Sequence, residues 1–591
     1  MLRPVLNNFR NYYDLSGIWQ FKVDKENVGE NKSWFEGFKP DFDIAVPGSW
    51  HEQLDDFGLL HYIGFAWYQK ELFAPSNFND KSVWLRFNSV DYNCRVWLNG
   101  KLVGENNIGY LPFEFEVSGF LNLGSKNKLV IQVDNILTND TIPQGISSDD
   151  YLNENRLREE TNPPARFDFV PAGGIHRTVV LYTTPKTFLS DVKIDTKARS
   201  NRIGNLSIKA GINGEGADEL AFEISDEDYS ENKNVKINNY SGETGFEINN
   251  CKFWDVGNPN LYSLNIKLIK RSETIDEYEL TVGIRTVEVK NDKLLLNEKP
   301  VFLKGFGKHE DFPVFGKGFN YQVLLKDFSL LKWINANSLR TSHYPYAEEV
   351  LDLADKQGIL VIDEVPAVSL DLRHTTQKTI DNHKSFVKKL IVRDSNHPSV
   401  IAWAIGNEPN LVGAKEYYNG IGDKYWKEIF SYARTLDNTR PITVPNCQRA
   451  GTNDPVFQYS DILSINRYYG WYENPGDLGK AIDNLNNEME ELWNKYSKPV
   501  MVTEFGADTV AGYHSTSNQM FTEEYQSELI ESYIKLIESK NYTVGEHVWN
   551  FADFRTPQHF RRVVNNLKGV FNRIREPKKA AFTLKKLWAP K

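Results

Sequence analysis

Through the first half of the chain, apolar and polar residues alternate over short stretches. Residues 82–90 (SVWLRFNSV), 94–105 (CRVWLNGKLVGE) and 128–135 (KLVIQVDN) are rich in β-branched and aromatic residues and bounded by Gly, Asn and Asp. That is the pattern of half-buried strands. Asn99-Gly100 lies between two such runs and predicts a tight hairpin. Residues 1–183 therefore read as a β-sandwich of jelly-roll type. Residues 184–286 carry further short strands (FLSDVKIDT, NLSIKAGI, LAFEIS, YSLNIKLIK) at the spacing of a smaller, immunoglobulin-like sandwich. The polar stretch 225–245 within them predicts an exposed loop with pieces of strand.

From residue 287 the rhythm changes to strand, loop, helix. Eight short apolar segments follow one another: 300–306, 336–341, 359–363, 400–406, 441–445, 462–466, 500–504 and 544–549. They are nearly continuous apolar runs, as expected of strands buried on both faces. Helical spacing separates them: Leu324, Phe328 and Leu331 fall at i, i+4 and i+7, as do Ile530, Ile534 and Ile537. Eight strands alternating with helices predict a (β/α)8 TIM barrel over 287–591.

Composition changes this picture in three places. Aromatic residues reach 13 %, with 14 Trp and 28 Tyr, which suits either aromatic-rich cores or faces that meet a half-apolar ligand such as a sugar ring. A net charge of −10 repels nucleic acid and anionic membranes, so neither is an expected partner. An anionic substrate would need local positive charge. The three cysteines, Cys94, Cys251 and Cys447, form no disulfide framework and fit a reducing compartment. Without an apolar leader or spanning segment, the expectation is a cytoplasmic enzyme.

In a TIM barrel the chemistry sits at the C-terminal ends of the strands. Those ends carry His309 and Glu310, then Arg340, His343 and Tyr344, then Asp363 and Glu364. Asn407 and Glu408 follow, then Asn466, Arg467, Tyr468 and Tyr469, and finally Glu504, Trp549 and Asn550. A single strand-end glutamate is most often a salt-bridged carboxylate. Glu408 after the fourth strand and Glu504 at the end of the seventh would instead face each other across the barrel mouth. Glycoside hydrolysis needs such a pair, at about 5–5.5 Å for retention of configuration or about 6.5–9.5 Å for inversion. Glu364, the third candidate, reads better as a partner that orients an Arg or His. Gly305 and Gly307 form no dinucleotide loop, and no His/Cys/Asp cluster has metal spacing, so neither metal nor organic cofactor is expected. The basic tail 573–591 reads as a final helix with a solvated face.

Residues 337–362 (NSLRTSHYPYAEEVLDLADKQGILVI) and 395–408 (SNHPSVIAWAIGNE) resemble the two signatures of glycoside hydrolase family 2. Ser395 and Ala404 are small departures from the usual residues. The stretches YLPFEFEV, GGIHRTVVLYTTP, INRYYGWY, TEFGAD and KGVFNRIREPKKAAF are similar in particular to the bacterial β-glucuronidases of that family. The resemblance implies a retaining exo-glycosidase that works by double displacement, with Glu408 as acid/base, Glu504 as nucleophile and Tyr468 supporting it. It implies that Asn407 bonds the sugar 2-hydroxyl, that Trp549 lies beneath the sugar and that Asp168 reaches a sugar hydroxyl from the first domain. Asn566 and Lys568 match the Asn-x-Lys motif that grips a sugar carboxylate, with Arg562 and Tyr472 nearby. A neutral sugar would then leave Lys568 unpaired. His343 either lines the site or is only structural.

The resemblance also implies a homotetramer acting on glucuronides, whose aglycones are either small molecules or, given the short connection described next, oligosaccharides. The connection from Val365 to about Asn382 is short where relatives carry a long loop, which predicts an open site. Phe167 stands where a His can occur. Two other readings remain at this stage: another specificity on the same scaffold (galacturonide, galactoside or mannoside), or a carbohydrate-binding protein with an inactive barrel.

Overall fold

The computed structural model describes residues 2–146, 161–199, 201–409 and 415–590. Its first domain packs a six-stranded antiparallel sheet against a four-stranded one. Trp19, Phe21, Trp50, Tyr68 and Phe87 fill the space between them. The expected hairpin is present: Leu98 pairs with Lys101, and Asn99 (φ 53°) and Gly100 (φ 77°) both take the left-handed conformation of a two-residue turn. In the second domain, sheets of three and four strands pack on each other. Leu206, Ile208, Ala210 and Ile212 point inward from one sheet and Leu264, Ile266 and Leu268 from the other. Alternation in the sequence thus becomes alternation across the sheet. The stretch expected as an exposed loop with pieces of strand does hold strands: Ser230–Lys236 forms an edge strand, and Ser241–Asn249 begins inside it.

All eight barrel segments form strands. They are β1 Leu303–Gly307, β2 Ser338–Arg340, β3 Leu360–Glu364, β4 Val400–Ala404, β5 Ile442–Thr443, β6 Leu463–Asn466, β7 Val500–Glu504 and β8 Thr543–Val548. Neighbours pair in parallel from β5 back through β1 and on to β8, β7 and β6. A single bridge between Asn446 and Ile465 closes the ring beyond the short β5. One helix follows each strand: α1 Tyr321–Trp333, α2 Glu348–Gln357, α3 Gln377–Asp394, α4 Gly422–Leu436, α5 Val456–Tyr459, α6 Leu478–Tyr496, α7 Glu523–Glu538 and α8 Lys579–Leu587. Leu324, Phe328 and Leu331 of α1, and Ile530, Ile534 and Ile537 of α7, are buried as their spacing predicts.

The basic tail holds the expected final helix, with Lys579 and Lys586 exposed on its outer face. α8 buries Ala580, Ala581 and Leu584, but the cations before it are not solvated. Arg575 donates to Asp327 at 2.8 Å, and Lys578 donates to Asp553 at 2.8 Å. They tie the last segment to the barrel, because a buried cation needs a partner.

The first domain is fastened over the barrel mouth. Arg177 donates to the carbonyls of Tyr110 and Pro345, each at 2.6 Å. Asn162 and Gln558 exchange backbone hydrogen bonds of 3.1 and 2.8 Å. The loop carrying Asp168 is thereby held beside the β8–α8 connection. Among the described residues, no helix is long and apolar enough to cross a membrane, and no group of three or more His, Cys, Asp or Glu is disposed to hold a metal. All three cysteines are buried and unpaired.

Candidate active site

β7 ends on Glu504, which is 4 % exposed. Arg340, ending β2, donates to one of its oxygens, and the Tyr468 hydroxyl donates to the other at 2.7 Å. An anionic carboxylate accepts both donors fully, whereas a protonated one would have to spare an oxygen for its own hydrogen. Arg340 also donates to Glu364 at 2.6 Å, and His343 Nδ1 lies 2.7 Å from the other Glu364 oxygen. Glu364 is fully buried and orients both residues, as its position at the end of β3 suggested.

Beyond β4 the chain turns sharply. Glu408 takes φ 47°, a left-handed conformation that costs a non-glycine residue free energy and persists only when the surroundings enforce it. The enforcement is visible: Glu408 N donates to Pro445 O at 2.8 Å, Asn407 N to Ala367 O at 3.0 Å, and Ser369 N to Asn407 O at 2.8 Å. Asn466 Nδ2 then donates to Glu408 Oε1 at 3.1 Å and to Asn407 Oδ1 at 3.2 Å. Burial and the nearby charge of Glu504 push the Glu408 carboxyl up to about 8, against weaker opposing effects from Asn466, Arg340 and Arg467. Glu408 therefore carries a proton at neutral pH while standing beside a carboxylate. Two carboxyl groups with separated roles are the signature of acid-assisted glycoside cleavage.

Trp549 lies parallel to the His343 ring, centroids 5.0 Å apart at 21°. It reaches that place because position 307 has no side chain; a Cβ there would sit 2.6 Å from the indole. Phe167 stacks on Phe169 at 4.2 Å, so residue 167 offers the cleft a ring face and no hydrogen bond.

A second group of side chains comes from loops. Lys568, 1 % exposed, donates to Asp508 and to Tyr472 OH at 2.9 Å. Its ammonium also faces the Tyr472, Trp471 and Tyr468 rings at 4.8, 5.5 and 5.6 Å. Arg562 donates to Asp168 at 2.5 Å, to Tyr472 OH at 2.8 Å and to Asp508 at 3.3 Å. Asn566 Nδ2 donates to Asp168 at 2.7 Å. Burial raises the Asp508 carboxyl, but Lys568 and Arg562 together outweigh it and hold the group below its ordinary range.

All eleven residues singled out from the sequence line one cleft of about 340 Å³: Asp168, His343, Asn407, Glu408, Tyr468, Tyr472, Glu504, Trp549, Arg562, Asn566 and Lys568. One expectation needs correction. Lys568 is not left unpaired when no sugar carboxylate is present, because Asp508 already meets it; a buried ammonium without a counter-charge would be too costly. Arg340, Asn466 and Asp508 were missed as site residues. The first two stand in the strand-end positions read above, and Asp508 lies in the TEFGAD stretch.

Ser49, His176 and Asp91 form another hydrogen-bonded chain, with distances of 3.0 and 2.9 Å. The cavity beside Ser49 measures only about 20 Å³, room for a single water. It admits no acyl substrate.

Residues 12–185, 187–285 and 287–591 match, in turn, the models for the glycosyl hydrolases family 2 sugar binding domain, glycosyl hydrolases family 2, and the glycosyl hydrolases family 2 TIM barrel domain. A β-glucuronidase of Paenibacillus borealis is 37 % identical over 607 residues, covering 100 % of this chain and 98 % of that protein. The structure of Bifidobacterium dentium β-glucuronidase complexed with coumarin-3-O-glucuronide superposes with a TM-score of 0.92 at 35 % identity, covering 100 % of this chain and 98 % of that one. That of Ruminococcus gnavus β-glucuronidase in complex with D-glucuronic acid gives 0.90 at 34 % identity, covering 99 % of each chain.

Proposed function

The chain belongs to glycosyl hydrolases family 2, and from that membership we infer that it hydrolyses β-D-glucuronides to glucuronate and the free aglycone by double displacement. The observation that carries this reading is a protonated and an anion-ready carboxyl in the same cleft as a buried lysine. Glu504 attacks the anomeric carbon as Glu408 gives its proton to the departing oxygen, leaving a glycosyl ester on Glu504. Glu408, now ionised, takes a proton from water, whose oxygen breaks that ester and restores the original configuration. Asn407, held by Asn466, meets the sugar 2-hydroxyl, and Trp549 forms the floor beneath the ring.

At the other end of the sugar, the C6 carboxylate needs donors. Lys568 has three hydrogens, of which Asp508 and Tyr472 take two, so the third is available to a carboxylate oxygen. Asn566 likewise uses one amide hydrogen on Asp168 and keeps one. A hexose brings no anion to these donors. Glucuronides are thereby favoured over glucosides and galactosides, while a galacturonide differs only at C4.

The short β3–α3 connection, with its single turn Leu372–His374, supports acceptance of oligosaccharide as well as small aglycones. By family resemblance the active form is a homotetramer, which light scattering tests. The deciding experiment for the activity is hydrolysis of 4-nitrophenyl β-glucuronide, β-galacturonide, β-galactoside and β-glucoside by the full-length protein. Glucuronide turnover far above the rest is expected, and equal or greater hexoside turnover overturns the reading.

A further inference from the structure

We propose that Asp508 is a fixed counter-charge within the carboxylate-recognition part of the cleft, which weakens the hold on glucuronate so that the product leaves. The proposal rests on the glucuronide reading above.

The charges in this part of the cleft balance. Lys568 and Arg562 carry two positive charges. Asp508 touches both, and Asp168 meets Arg562 with two further contacts at 3.1 Å beside the shorter one. Asp508 is 2 % exposed and is pinned by its own chain neighbourhood: its Oδ1 accepts from Leu567 N at 2.9 Å, between Asn566 and Lys568. It lies four positions beyond Glu504 on the same strand-end segment. It therefore stays in place when a sugar enters, and an incoming carboxylate shares Lys568 with it.

That sharing has a chemical purpose. The C6 carboxylate is the same in substrate and product, and it takes no part in bond breaking. Any grip on it is uniform binding, which lowers KM without raising kcat and holds the product equally well. A buried lysine and arginine with no counter-charge would hold a carboxylate strongly. Asp508 places a second carboxylate on the same ammonium, and the repulsion between the two in a partly desolvated site subtracts from that grip. A group acting only to orient Lys568 predicts the opposite outcome, since its removal would loosen glucuronate.

The test is competitive inhibition of 4-nitrophenyl β-glucuronide hydrolysis by free glucuronate in wild type and Asp508→Asn, a variant that keeps the Leu567 contact and removes the charge. Glucuronate Ki is expected to fall about tenfold, with KM falling alongside it. A Ki that is unchanged or raised overturns the proposal. Should the single variant fail to fold, Lys568→Met and Lys568→Met/Asp508→Asn carry the same test. Lys568→Met weakens glucuronate binding, because Asp508 then faces the carboxylate with only Arg562 to offset it. The double variant, lacking both charges, recovers part of the loss; no recovery overturns the proposal. Wild type that fails to cleave the glucuronide removes the functional reading itself, whereas wild type that cleaves it while Asp508→Asn fails to tighten glucuronate removes only the role of Asp508.

Discussion

The carboxyls assigned above to the reaction and the side chains assigned to carboxylate recognition share one cleft but are built differently. Glu504, Arg340 and Glu364 are the last residues of barrel strands, all almost fully buried. Their positions follow from closure of the barrel and shift only if the barrel does. Asp168, Tyr472, Arg562, Asn566 and Lys568 come instead from a first-domain loop, the connection after β6 and the long β8–α8 connection. They are held by one another: Asp168 to Arg562 and Asn566, Arg562 to Tyr472, Tyr472 to Lys568. A frame of strands fixes the bond-breaking chemistry, and a net of ion pairs between loops fixes what is recognised. Loops vary without disturbing the frame, so specificity is the more adjustable half, and changes in the two halves should fail in different ways.

The largest effect is expected in the frame. Glu504→Ala removes the atom that bonds to the sugar, and kcat should fall on the order of 10⁴-fold or more for glucuronide and hexoside alike. A loss confined to glucuronides would show that the two halves are not separable. Glu408→Gln comes next, at about 10²–10⁴-fold, with a distinct fingerprint. Because burial beside Glu504 pushes the Glu408 carboxyl up to about 8, wild-type kcat/KM should decline as pH rises through about 8 and the proton is lost. In the variant that alkaline limb should vanish. The deficit should also shrink for a 2,4-dinitrophenyl leaving group, which needs little protonation. An alkaline limb retained in Glu408→Gln would move the acid role elsewhere.

A smaller, selective effect is expected in the loop net. Lys568→Met should cost glucuronide kcat/KM about 10²-fold, in line with losing one partner of a buried charge pair, and leave hexoside turnover far less affected. Equal loss on both substrates would mean that Lys568 supports the frame through Asp508 and Tyr472 rather than reading the sugar.

The same division explains what the sequence revealed. The eight strands were legible because burial on both faces writes continuous apolar runs, and the strand ends then pointed to Glu408, Glu504 and the orienting role of Glu364. Asn566 and Lys568 lie in a connection with no periodicity, so their place in the cleft was legible only through family resemblance. Asp508 was not legible at all as a partner of Lys568. The two are 60 residues apart, and no local pattern records which buried cation an aspartate will meet. The basic tail was legible as a final helix with an exposed face, but the partners of the cations before it were not, for the same reason: composition shows charge, and only the fold shows that Asp327 and Asp553 neutralise Arg575 and Lys578.

The smallest expected effect concerns what the frame costs the folded protein. Glu408 is forced into a left-handed turn and holds its carboxyl at about 8 against an ordinary value of 4.5. Between those values the folded chain binds more protons than the unfolded chain, so this residue's contribution to stability declines as pH rises from 4.5 to about 8. Below 4.5 both states are protonated and the penalty is absent. Glutamine has the same shape and no proton to lose. The apparent thermal midpoint of Glu408→Gln should therefore exceed that of wild type by about 1–3 °C near pH 8. The gap should close as the pH is lowered toward 4.5 in differential scanning calorimetry. A gap of constant size across that range would show that the raised carboxyl is not its source, since both proteins share the turn. A gap that closes ties the penalty to the raised carboxyl that makes Glu408 an acid, so that the residue most useful to the chemistry is one the fold would be more stable without.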